Sequence, residues 1–267
     1  MNRIIGIDMG SSALKAVLYE NGSFTDRFQT SAMTDEKAVE ETVGRRFDPQ
    51  KGDKIALTGM GASFIENGLF GLETSKDTEF NAVGEGASYL TGYKTALIVS
   101  MGTGTAYIRA ENGVYRHIGG SGVGGGTLLG LAKLLVGETD PHKLSEMCMK
   151  GDRSKVDLQM RDISKDKVPT LPPHFTASNF AKVSPDAAKE DICAALYNML
   201  YEVAAMLAVF SAREFGEKNI IFTGNLAVLP AANLVFSELG KMFGMNFSIP
   251  ENGEFAGAMG AVLRNLR

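Results

Sequence analysis

The chain has 267 residues, 44% of them hydrophobic and 22% charged, which is enough apolar material for a packed core and excludes a disordered chain. A formal charge of −4 excludes the global basic field that holds nucleic acid. At ~100–200 residues per domain, the length predicts two lobes.

In chain order, the opening RIIGIDMG reads as a strand with Ile4, Ile5 and Ile7 apolar and Asp8 at its end. Residues 14–20 resume as a second strand and 22–29 as a third, with a tight polar turn joining the first two into a hairpin. Residues 35–47 read as a helix, and 54–59 as a buried strand ending in Thr-Gly. Asp77 or Thr78 caps the next helix, which runs through Ala87 to about Leu90. The theme then repeats. Residues 95–110 give strand, Gly-Thr-Gly-Thr turn and strand, Asn112-Gly113 marks a hairpin, and 119–135 pass from a glycine loop into an apolar helix. The duplication is one of topology, with residues 1–93 as the first lobe and 94–267 as the second.

Residues 151–179 are polar, with Lys165, Lys167, Pro169, Pro172 and Pro173, and read as an excursion over a cleft or a plain long loop. Ser184-Pro185 reads as a cap followed by a first helical residue, and apolar residues at helical spacing carry that helix over 185–215, roughly 45 Å. Its apolar surface extends nearly all round, so it is central or lies at a subunit contact. Residues 218–227 form another strand and glycine turn, and 254–266 a small-residue helix suited to close packing. The most apolar run, 194–210, contains Asn198 and Glu202, and the first residues carry no secretory pattern, so a cytoplasmic protein without a membrane partner is expected. Cys148 and Cys193 read as reduced core thiols, and His117, His142 and His174 are too scattered for a histidine metal site.

The chemistry concentrates in glycine turns, which bring backbone close to a ligand. Asp8 to Lys15 presents a strand-end carboxylate, backbone amides, the hydroxyls of Ser11 and Ser12, and a lysine. Such a turn can cradle an anion, with the carboxylate serving Mg²⁺ through water, or can be a capped hairpin and no more. The turn at Thr103 repeats the logic from the facing lobe, and two facing hairpins can grip one triphosphate. Gly120, Gly122 and Gly125 match a dinucleotide-binding pattern, but mid-chain and outside a βαβ unit; no Lys-Ser or Lys-Thr follows the glycines, which excludes a P-loop. Gly125, Gly126 and Thr127 open a helix whose amides can hold phosphate. Glu79 is either a base for phosphoryl transfer or a solvated first-turn glutamate favoured by the helix dipole.

IGIDMGSSALKAVL, LIVSMGTGTAYI, IGGSGVGGGTLLGL and IIFTGNLA resemble, in order, the phosphate and adenosine motifs of the actin-like ATPase superfamily. More narrowly, TEFNAVGEG, GGSGVGGGTLLGLAKLL, MCMKGDRSKVDLQMRDI and ENGEFAGAMGA resemble bacterial type II pantothenate kinases over nearly the whole chain. The resemblance implies a two-lobed α/β fold of the actin-like (ribonuclease H-like) kind with duplicated sheet and helix domains, and an ATP- and Mg²⁺-dependent kinase for the terminal hydroxyl of pantothenate. It implies Glu79 as catalytic base and Asp8 as the metal-linked acid. Gly10, Ser11, Ser12, Lys15 and Thr103 match the phosphate turns, Gly125, Gly126, Thr127, Leu128 and Leu129 the nucleotide-side loop, and Asn225 the adenosine-side turn. The long helix matches one associated with a family homodimer.

The departures fall on the acid-recognising side. His117 stands where the family usually carries arginine, with Arg116 one residue earlier; Ala106 replaces a serine, and Asp140-Pro141 an aspartyl-tyrosine. Successive strand residues face opposite ways, so Arg116 replaces His117 only with a local shift. Arg116 and His117 are therefore the acceptor-side candidates. A neutral acceptor such as pantetheine, a nucleotide-driven switch without transfer, and an NAD-binding protein are the competing readings.

Overall fold

Strand β1 (Ile4–Met9) is almost wholly buried, and it pairs antiparallel with β2 (Ala13–Glu20), which pairs with β3 (Ser23–Ser31). The computed structural model describes residues 3–165 and 172–267. Helix α1 (Glu36–Phe47), capped by Asp35, leads to β4 (Lys54–Thr58) and β5 (Glu73–Lys76), both parallel to β1, giving a sheet in the order β3-β2-β1-β4-β5. Helix α2 (Glu79–Thr91) starts after Thr78, whose hydroxyl accepts the Asn81 N–H.

The second half repeats this topology. Strands β6 (Thr95–Met101), β7 (Thr105–Glu111) and β8 (Val114–Ser121) form an antiparallel meander, and after helix α3 (Gly125–Leu135) comes helix α4 (Pro141–Cys148). Short elements β9 (Leu158–Gln159), α5 (Met160–Ile163) and β10 (Thr176–Ser178) precede the long helix α6 (Lys189–Glu214). Strand β11 (Asn219–Thr223), helix α7 (Pro230–Phe243), strand β12 (Asn246–Ser248) and helix α8 (Ala256–Asn265) complete the chain. The second sheet runs β12-β11-β6-β7-β8, the first sheet's order read from its other edge.

Five layers result. Helix α1 covers one face of the first sheet through Val39, Val43 and Phe47. The other face, with Ile4, Val17 and Ala56, packs on Ala258, Met259 and Val262 of α8. Helix α2 packs Val83 and Ala87 on Ala96, Ile98, Ile108 and Ile221 of the second sheet, whose far face is covered by α3, α6 and α7. The middle layer is thus the α2–α8 pair, and each helix lies on the sheet from the other half of the chain. The helices touch backbone to backbone. A Cβ on Gly86 would lie 1.9 Å from the Ala256 carbonyl oxygen, and one on Gly260 1.7 Å from that of Ala82.

Helix α6 starts at Lys189, four residues later than the sequence predicts, and is about 39 Å long at ~1.5 Å per residue. The side chain of Asp191 sets the start, accepting the Ala188 N–H at 2.9 Å and the Asp152 N–H at 2.8 Å. Ser184 instead donates its N–H to the Lys155 carbonyl at 2.7 Å and its hydroxyl to Asp186, which holds Pro185 in a turn. Helix α6 is long and apolar enough to cross a membrane, and 72% of its most apolar window is buried inside the fold. Leu207 and Phe210 on it are exposed. The described part of the polar excursion is no plain loop, and none of it lines the central cleft. It packs on α6 through buried Asp157 and Asn198, with Arg153 and Thr176; Lys167 and Pro169 lie outside the described residues.

Candidate active site

Asp8 and Ser100, each one residue before the end of its strand, and Thr223, the last residue of β11, line a cleft of about 650 Å³ between the two sheets. Each half carries the same device. Gly59 and Gly224, with φ of 86° and 91°, follow β4 and β11 and pass so close to the Met9 and Met101 carbonyls that a Cβ would lie 2.7 and 2.4 Å from those oxygens. Only glycine holds this left-handed conformation at such contact.

The two glycine turns face each other. The Thr103 hydroxyl is hydrogen-bonded to Ser11 Oγ at 2.7 Å and to Ser12 Oγ at 2.6 Å. Behind the first turn, Asp8 stands between two glycines. A Cβ at Gly59 would lie 2.5 Å from Oδ1, and one at Gly257 2.3 Å from Oδ2. The Asp8 carboxylate accepts no hydrogen bond among the described residues; burial pushes its pKa up and the Lys15 charge opposes that. Glu79, first residue of α2, is half-buried in the same cleft. Burial pushes its carboxyl up and the Asp8 charge adds to this, while Lys15 and the Met60 N–H pull it down. Two carboxylates and one lysine therefore form a single electrostatic unit.

The start of α3 has another role than the sequence predicts. The Gly125 and Gly126 N–H groups donate to the Gly102 and Thr103 carbonyls at 2.8 and 2.9 Å, so these amides brace the second turn instead of facing an anion. The Thr127 hydroxyl donates to the Gly122 carbonyl at 2.9 Å and accepts the Gly124 N–H at 3.3 Å. Gly125, Leu128, Leu129 and Asn225 line the cleft; Gly126 and Thr127 do not. Leu226, Val228 and Leu229, which follow Asn225 in the chain, line the same cleft, as do Pro141 and His142.

A family model, Fumble, matches residues 91–263. The type II pantothenate kinase of Staphylococcus aureus (strain USA300) is 32% identical over 271 residues, which cover 97% of this chain and 98% of the relative. That of Oceanobacillus iheyensis is 33% identical over 270 residues, with the same shares. The chain belongs to the type II pantothenate kinase family.

The fold of this kinase is that of the actin-like ATPases. An activator of 2-hydroxyisocaproyl-CoA dehydratase from Clostridium difficile with bound ADPNP superposes with a TM-score of 0.67 at 18% identity, covering 98% of this chain and 93% of that one. A ROK glucokinase from Streptomyces griseus in complex with glucose and AMPPNP gives 0.61 at 12% identity, covering 97% and 98%.

At the other end of the kinase's cleft, cross-strand pairing separates the two acceptor-side candidates. His117 pairs with Ile108, whose side chain packs toward α2, and its ring stacks on Phe80 with centroids 4.0 Å apart. Arg116 pairs with Arg109, which covers the Phe215 ring at the end of α6, so it occupies the opposite face of the sheet and does not line the cleft. Residues that sequence reasoning missed are Gln29, Met60, Phe80, Gly257 and Glu254. The last two lie in ENGEFAGAMGA, whose run of small residues signalled close packing but not against what.

Proposed function

We propose that the protein transfers the γ-phosphoryl group of ATP to the terminal hydroxyl of pantothenate, with Glu79 as the general base. The observation that carries this is the shared electrostatic unit of Glu79, Asp8 and Lys15 beside two opposed turns. Phosphoryl transfer needs positioning, charge neutralisation and one group to take the acceptor proton. Gly10, Ser11, Ser12, Lys15 and Thr103 hold the phosphates. Gly125, Gly126 and Thr127 act on them through the second turn, which they brace. Leu128, Leu129 and Asn225 hold the adenosine, and the raised Glu79 carboxylate is a stronger base than an ordinary glutamate.

Mg²⁺ fits Asp8. The carboxylate accepts no hydrogen bond among the described residues, and this ion is usually held by one or two carboxylates with phosphate oxygens and water, not by a cage of protein ligands. When bound, the ion neutralises phosphate charge. We place the enzyme in the cytoplasm as a homodimer, with exposed Leu207 and Phe210 of α6 as the apolar surface for a second copy.

One observation favours a second acceptor. With Arg116 on the far face and His117 on Phe80, no arginine among the described residues lines the cleft to meet a carboxylate, which suits the neutral relative pantetheine. ADP release measured with pantothenate, pantetheine and no acceptor tests both readings. Turnover that needs pantothenate supports the first, a higher kcat/KM for pantetheine supports the second, and no acceptor-dependent turnover refutes both.

A further inference from the structure

Three carboxylates line the cleft, and Asp8 and Glu79 account for the chemistry; Glu254 does not enter it. Glu254 is half-buried and makes no ion pair or hydrogen bond among the described residues. A carboxylate in a cleft wall with no protein donor leaves its oxygens open to a ligand that donates.

The backbone fixes that place. The Gly253 carbonyl accepts the Gly224 N–H at 3.2 Å, which sets Glu254 beside the turn that carries Asn225. Gly257, one helical turn later, presses on Asp8. The segment around Glu254 therefore runs from the Asn225 turn to Asp8. The duplication agrees. Helices α2 and α8 touch at Gly86 on Ala256 and Gly260 on Ala82, which makes Ala82 equivalent to Ala256 and Gly86 to Gly260. In that register Glu254 corresponds to Phe80, the platform under His117 at the acceptor end.

Given the nucleotide placement under Proposed function, on which this rests, the part of ATP between the phosphates and the base is a sugar with two adjacent hydroxyls. An ionised carboxylate accepts two O–H bonds and offers no donor. We propose that Glu254 reads the sugar, accepting hydrogen bonds from the ribose 2′- and 3′-hydroxyls and so selecting ribonucleotides over deoxyribonucleotides. Hydrogen bonds to a charged group set the scale at roughly 10–100-fold in affinity.

The test compares ATP, 2′-deoxy-ATP and 3′-deoxy-ATP in steady-state ADP release and in calorimetric binding, for the wild type, Glu254→Gln and Glu254→Ala. The wild type is expected to favour ATP by about tenfold or more in KM. Glu254→Ala brings all three nucleotides to within about twofold of one another by raising the KM for ATP, with the loss in KM and not in kcat. Glu254→Gln, which keeps one acceptor oxygen, falls between. A wild type indifferent to the deoxy positions, an alanine variant that keeps the wild-type ratio, or a variant altered only in its Mg²⁺ requirement would overturn the assignment. The calorimetric arm reads sugar selection even if no acceptor is phosphorylated, so failure of the kinase reading is distinguishable from failure of this one.

Discussion

A single methyl group added at Gly257 tests the place of Asp8 with little cost to the fold. In Gly257→Ala the new Cβ lies 2.3 Å from Asp8 Oδ2 and 2.9 Å from its Cγ. On its other side the carboxylate faces Gly59, where an added Cβ would lie 2.5 Å from Oδ1, so the methyl group pushes Asp8 toward that glycine turn. Restoring a contact of ~3.2 Å moves the carboxylate by about 1 Å. Gly257 is the second residue of α8, where replacing glycine by alanine gains at most the interior difference of about 1 kcal/mol. That gain offsets strain, so the midpoint of unfolding should fall by only a few degrees. Displacing a positioned group by about 1 Å costs on the order of 10²-fold in rate, and kcat/KM should drop by that much. ADP-release kinetics beside thermal unfolding measure both. A variant that folds and keeps kcat/KM within about twofold of wild type would refute the confinement of Asp8. Gly260→Ala is the contrast. Its Cβ meets the Ala82 carbonyl at 1.7 Å, so stability is lost there before chemistry.

Glu79→Gln should lower turnover by about 10²–10⁴-fold while the KM for ATP stays within a few-fold. The base works only when deprotonated, and burial and Asp8 raise its pKa, so kcat/KM should fall on acidification through a pH above the ordinary glutamate value of 4.5. An acid limb at or below that value, or near-full turnover in the variant, would remove Glu79 from the mechanism. At Asp157, burial raises the carboxyl from 3.8 to about 6, against the Phe180 N–H and the Arg153 charge. The folded value exceeds the unfolded one, so the stabilisation is complete below the unfolded value and lost as pH rises through about 6. Asp157→Asn fixes the neutral form, so urea unfolding from acid to neutral pH should shift in the variant's favour by roughly 2–3 kcal/mol. Parallel pH curves would contradict this.

Much of the fold is written locally. Ile4, Ile5 and Ile7 running into Asp8, the Asn112-Gly113 hairpin and the Thr78 cap each depend on near neighbours, so they are legible in one dimension. The exchange of α2 and α8 between the sheets is not, because helical periodicity gives a buried face without naming what buries it. Gly86, Gly257 and Gly260 carried the only trace, as small residues where backbone meets backbone. The same limit applies at the site. Asp8, Glu79 and Thr103 announce themselves by residue type in a turn or helix start. The Gly125 and Gly126 amides read as free anion donors because their partners, the Gly102 and Thr103 carbonyls, lie across a loop. Pro185 misled for a related reason: Asp191 caps α6 from inside the helix, and an internal acid is a weaker signal than Ser-Pro.

The most direct measurement is a crystal structure with a nonhydrolysable ATP analogue and Mg²⁺. The Ser11, Ser12 and Thr103 hydroxyls, now bonded to one another at 2.6–2.7 Å, should part and turn onto one polyphosphate, with Asp8 facing the metal and the base beyond Asn225. A polyphosphate lodged outside the two turns, with the three hydroxyls still joined, would contradict it.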